Sequence, residues 1–114
     1  MQDDGQVKLL LAKRSLEAWN DAHAPEGVLS EGSRIDALFD AGYFVLLALA
    51  PRDARQLLEH HPDVDFVRTA CAAMNVSAEV GIRYAENKYA AFDDERPTAE
   101  QVRSWAVELR ATLA

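Results

Sequence analysis

The sequence predicts an all-α protein: a single-domain bundle of five to six helices around a central apolar helix at about residues 34–50. Three observations carry that expectation. Apolar residues recur at helical spacing in nearly every segment. The stretch Ala41 to Ala50 holds nothing more polar than Gly42 and the Tyr43 hydroxyl. No run alternates apolar with polar residues around an Asn-Gly or Asp-Gly turn, so there is no hairpin signal.

The first amphipathic segment places Leu9, Ala12, Leu16 and Trp19 on one predicted core face, with Lys8, Lys13, Glu17 and Asp21 elsewhere on the helix. Residues 1–6, MQDDGQ, are expected to fray or be disordered, and 7–114 to form the domain. HAPEGVLSEGS reads as a loop punctuated by Pro25, Gly27 and Gly32. Ser33 is the expected N-cap of the second helix, with Asp36 favoured at its positive end. That helix is apolar nearly all round from Leu38 onward, as in a helix wrapped by others.

Pro51 and Asp53 suit the start of a short helix carrying Ala54, Leu57 and Leu58, which Pro62 ends. Val64, Val67, Cys71 and Met74 then form an amphipathic stripe stopped by Asn75, a residue tolerant of the left-handed conformation. Ser77 can cap the next helix, whose predicted stripe is Ile82, Ala85, Tyr89 and Phe92. Thr98 and Gln101 make a capping box for a last helix with Val102, Trp105, Ala106, Leu109 and Leu113 on one face. Trp19 and Trp105 are both expected to pack against the second helix.

Composition narrows the function classes. The formal charge is −7 with a pI near 4.8, and no window of eight residues gathers more than three of the twelve Lys and Arg. A phosphate-tracking surface needs a concentrated basic patch, so general nucleic-acid binding is disfavoured. The central apolar run is shorter than the roughly 20 residues a membrane span requires, and Asp36 and Asp40 lie just upstream, so no membrane is expected. Cys71 is the one cysteine, which suits a reducing cytoplasm. The N-terminal MQDDGQ lacks the basic start and apolar core of a secretory signal.

Candidate chemistry is sparse. Arg55 and His60, on RQLLEH, could in principle cleave RNA without a metal, the His moving the proton of a ribose hydroxyl and the Arg stabilising charge on phosphorus. On a short helix ending at Pro62 they read instead as surface residues, with His60 or His61 near a helix C-terminus. His60, His61, Asp63 and Asp65 lack the H-x-x-x-H or E-x-x-H spacing of a helical metal site. Asp36 and Asp40, four apart, mark the exposed start of the central helix, and Asp93, Asp94 and Glu95 a solvated loop. Cys71 lies on an apolar stripe, where it is a small core residue. The aromatic residues Phe39, Phe44, Phe66 and Phe92 are expected in the core with the tryptophans. No phosphate-binding, dinucleotide-binding or hydrolase elbow motif occurs. No catalytic residue, cofactor or metal is expected.

Three stretches resemble the HEPN superfamily of small helical bundles: KLLLAKRSLEAWNDA, IDALFDAGYFVLLALA and GIRYAENKYAAFDDERPTAEQVRSWAVELRATL. Nuclease members carry an R-x(4–6)-H motif on the penultimate long helix. Arg83 can take the Arg position, but Lys88 and Tyr89 stand where the His is expected, and no His follows His61. The resemblance therefore implies a non-catalytic member acting through protein contacts or as a homodimer, in an antitoxin or adaptor role. An acidic chain of this kind would suit a basic partner. The other readings are a small metal-independent ribonuclease using Arg55 and His60, and a small helical chaperone.

Overall fold

The computed structural model describes residues 4–24, 30–49, 64–87 and 97–112. They form five helices, α1 (Asp4–Ala22), α2 (Glu31–Leu49), α3 (Val64–Ala73), α4 (Glu79–Asn87) and α5 (Ala99–Ala111), with no strand among the described residues. The protein is an all-α helical bundle. The short helix expected after Pro51 and the residues Tyr89, Phe92 and Leu113 lie outside the described residues.

α1 and α2 pair as an antiparallel hairpin. Ser15 Oγ donates to the Ala41 carbonyl at 2.7 Å, and Arg34 Nη1 donates to the Ala22 carbonyl at 2.7 Å. Contacts that move forward on one helix as they move back on the other require opposed directions. The Arg34 guanidinium also supplies positive charge and a donor to the C-terminus of α1, where free carbonyls concentrate. α2 begins at Glu31 rather than near residue 34, because Ser30 takes the capping role assigned to Ser33. The Ser33 amide donates to Ser30 Oγ at 3.1 Å, and the Arg34 amide to the Ser30 carbonyl at 3.0 Å. Both serines have the chemistry of a cap, and the one that lies one turn further out wins.

From Leu38 onward α2 is enclosed as its composition requires. Leu38, Ala41, Val45 and Leu46 are fully buried, Phe39 almost so, and Phe44, Leu47 and Leu49 are half-buried. No helix among the described residues is long and apolar enough to cross a membrane. The segment's grease serves the protein's own core.

Two further ends follow the sequence. Asn75 adopts φ 62°, with Val76 N–H donating to the Cys71 carbonyl (3.0 Å) and Asn75 N–H to the Ala72 carbonyl (3.2 Å). This is a Schellman stop, and asparagine tolerates the left-handed backbone better than most residues with a Cβ. At α5 the predicted capping box is complete: Gln101 N–H donates to Thr98 Oγ1 (3.2 Å) and Thr98 N–H to Gln101 Oε1 (2.9 Å).

An aromatic stack ties α2 to α4 and α5. Phe39 lies 4.0 Å from Tyr84 and 5.3 Å from Trp105 between ring centres, with interplanar angles of 15° and 13°. The Tyr84 hydroxyl donates to the Asp36 carboxylate, which meets the polar need of an otherwise buried ring. Glycines let the indole in. A methyl group on Gly42 would lie 2.7 Å from Trp105 Cζ3, and one on Gly81 2.7 Å from Cζ2 and 2.8 Å from Val67 Cγ1. On α4, Gly81 and Tyr84 are therefore the buried positions, while the predicted Ile82 and Ala85 are only half-buried.

Substituting these glycines tests the insertion. Gly42→Ala and Gly81→Ala should each destabilise by about 1–3 kcal/mol in urea unfolding, through overpacking. Gly32→Ala, with nothing within 4 Å, should be neutral or stabilising by up to ~1 kcal/mol. The two tryptophans should separate in the same assay. Trp105, 3% exposed, should cost about 3–5 kcal/mol on truncation to Ala. The half-buried Trp19 should cost no more than an ordinary substitution, about 0.5–3 kcal/mol.

Candidate functional site

Arg55 and His60, with His61, Asp63 and the Asp93–Glu95 run, lie outside the described residues. Asp36 and Asp40 are exposed, and Asp36 accepts from the Tyr84 hydroxyl, a contact that serves the fold. Asp65 pairs with Arg68 at 2.9 Å on the open surface of α3, a geometry that contributes little. Among the described residues no three His, Cys, Asp or Glu side chains gather as a metal site.

Cys71 is fully buried, as its stripe predicted. Burial pushes its thiol up to about 11, with the adjacent Trp105 side chain holding the rise back in part. Any such contact to sulfur is weak, and Trp105 Nε1 has no hydrogen-bond partner of ordinary geometry. The thiol is consequently neutral and shielded, the reverse of an activated nucleophile.

One groove, of about 540 Å³, opens between the start of α4 and α5. Its lining includes Ser77, Thr98, Ser104, Trp105, Glu100 and Glu108. Thr98 and Gln101 satisfy one another in the capping box. Among the described residues no histidine lines the groove to activate its hydroxyls.

The outer surface of α1 and α5 is a different kind of site. Among the described residues the exposed large hydrophobic ones are Leu9 (73%), Leu16 (46%) and Leu10 (50%) on α1, and Val107 (49%) on α5. This corrects the predicted core face of α1. Ser15, Ala18 and Ala22 are the buried positions, whereas Leu9 and Leu16 face outward and Ala12 and Trp19 are half-buried. At roughly 100° per residue, Leu9 and Leu16 are about 20° apart around the helix, and the buried trio is about 140° away. The reason is the closeness of α2. Ser15 bonds directly to an α2 carbonyl and Ala18 packs with Ala41 and Ala106, a separation that small side chains permit and leucines do not.

Trp19, half-buried between the leucine stripe and the buried trio, meets α5. Arg110 lies over its ring at 5.4 Å, and the His23 ring, one turn further along α1, is 4.4 Å from it, with Nδ1 2.8 Å from the Trp19 carbonyl. On α5, Glu100 and Glu108 line the groove beside α4, and Arg110 covers Trp19. The sequence concealed this site because the Leu9–Leu16 stripe has the periodicity of a core face. The available signal was the second, smaller stripe of Ser15, Ala18 and Ala22.

No protein-family model, curated protein or solved structure matches this chain.

The buried thiol gives a pH prediction. The folded state holds its proton up to about 11, whereas an unfolded thiol releases it near ~8.5. The stability difference between wild type and Cys71→Ala should therefore be constant below ~8.5 and shift against wild type as pH rises toward about 11. Urea midpoints of both proteins at several pH values measure this, with tyrosine and lysine titration common to both. A difference independent of pH would refute the burial argument.

Proposed function

We propose that this chain is a non-catalytic helical interaction module, of antitoxin or adaptor type, acting through protein–protein contacts at the outer face of α1. The observation that carries the reading is the exposure of Leu9 and Leu16 on a helix whose opposite side already meets the core. Covering a leucine side chain is favourable by about 1.5–3 kcal/mol, so a stripe of this kind is a ready contact surface. The resemblance to non-catalytic HEPN bundles agrees with such a role: Arg83 can take the motif's first position, and no histidine follows it.

The test is a paired variant. Leu9→Lys combined with Leu16→Lys should melt within about 2 °C of wild type, because exposed substitutions usually change stability little. A partner recovered at defined stoichiometry by the wild type should be lost by the variant. Equal recovery by both, or cleavage of unstructured RNA that disappears in His60→Ala, would overturn the reading.

A further inference from the structure

We infer that α1 is a releasable cover: it opens from the bundle as a unit while α2, α3, α4 and α5 stay folded. Opening bares a strip of α2 and α5 that the closed molecule hides. This release depends on how α1 is held, not on what its outer leucines meet. Three observations carry it.

The first is the membership of the core. Among the described residues the main apolar cluster draws its buried side chains from α2 to α5, save for Ala22, with Trp19 packed against it. Ring contacts follow the same division. Phe39 with Tyr43, Tyr84 and Trp105, and Tyr43 with Phe66, all lie within α2 to α5. The close approach of Trp105 to Gly42 and Gly81 likewise involves no residue of α1.

The second is the size of what α1 buries. Its buried side chains are Ser15, Ala18 and Ala22, whereas Leu9, Leu10 and Leu16 are exposed. Stabilisation by apolar burial scales with the area removed from water, and a methyl group removes little beside Phe39, Leu46 or Trp105. Ala18 meets Ala41 and Ala106 in a small cluster of its own, with Trp19 and Phe44 packed against it.

The third is the nature of the polar ties, which include Ser15 Oγ to the Ala41 carbonyl, Arg34 Nη1 to the Ala22 carbonyl, and Arg110 over Trp19. Water can replace the partner in each hydrogen bond, so the net contribution of each is modest. Once lifted, α1 loses the packing on which most helical stability in proteins depends, and its amides exchange with solvent. The strip left bare is Ala41, Phe44 and Ala106. The open form therefore adds a small-residue surface that the closed form does not offer.

Native-state hydrogen exchange of the full chain in low urea separates this release from all-or-none opening. Amides from Ala12 to Ala18 should exchange about tenfold or more faster than those from Trp105 to Leu109. Their urea dependence should also be shallower, because less surface is exposed. Gly81→Ala strains the core equally in the closed and the α1-open molecule. It should speed the Trp105–Leu109 amides about fivefold or more and leave Ala12–Ala18 unchanged. Ser15→Ala should speed Ala12–Ala18 about two- to tenfold, the size of one hydrogen bond.

A single rate and a single urea slope for both sets of amides would overturn the proposal. So would Gly81→Ala accelerating both sets alike, or Ser15→Ala leaving α1 exchange as it was. The wild-type comparison needs no variant, so it decides the matter even where Gly81→Ala does not fold.

Discussion

The fold depends on one indole passing between two glycines. Trp105 reaches from α5 to a point where Gly42 of α2 and Gly81 of α4 have no Cβ, and a methyl at either site would come within 2.7 Å of the ring. Each glycine costs its helix about 0.5–1 kcal/mol relative to alanine, and the buried tryptophan more than offsets both. The insertion also sets the stack beside it. Phe39 can lie nearly parallel to Trp105 on one side and Tyr84 on the other only while the backbones of α2 and α4 stay this close. Tyr84 then has its hydroxyl within reach of Asp36, so the single close approach organises both the apolar and the polar ties between these helices.

The same economy of small residues operates on the far side of α2. Ser15, Ala18 and Ala22 bring α1 close enough for a side-chain hydroxyl to bond directly to a main-chain carbonyl of α2. A serine buried at that contact is satisfied by it, which removes the usual penalty for a buried hydroxyl. Ala106 completes the contact from α5. α2 is thus held by a bulky aromatic insertion on one side and by flat, small-residue packing on the other.

How much of this was legible follows from which forces are local. The all-round apolarity of α2, the capping box at Thr98 and Gln101, the stop at Asn75 and the Val102–Leu109 face of α5 are properties of a few consecutive residues, and each stands as the sequence implied. The choice between Ser30 and Ser33 as a cap was not legible, because both satisfy the same local rule and the outer one adds a turn. Gly42 and Gly81 carried no sign that they serve one indole, since nothing local links positions 39 residues apart to Trp105. The candidate site was the least legible part. Periodicity reports that a helix has an apolar stripe but not whether its neighbour comes near enough to use it.

On α1 that distinction is decided by distance between backbones. Turning α1 so that Leu9 and Leu16 face α2 would take a rotation of about 140° and carry Ser15 away from the Ala41 carbonyl it bonds. The leucines would then have to enter a seam built for serine and alanine, pushing α1 outward and separating Ala18 from Ala41 and Ala106. Seating two larger residues there would create the strain that an overpacked core shows, against the loss of a well-made buried hydrogen bond. The outward position of the leucines is therefore set by the contact that holds α1 in place. Any burial of these leucines has to come from a surface other than α2.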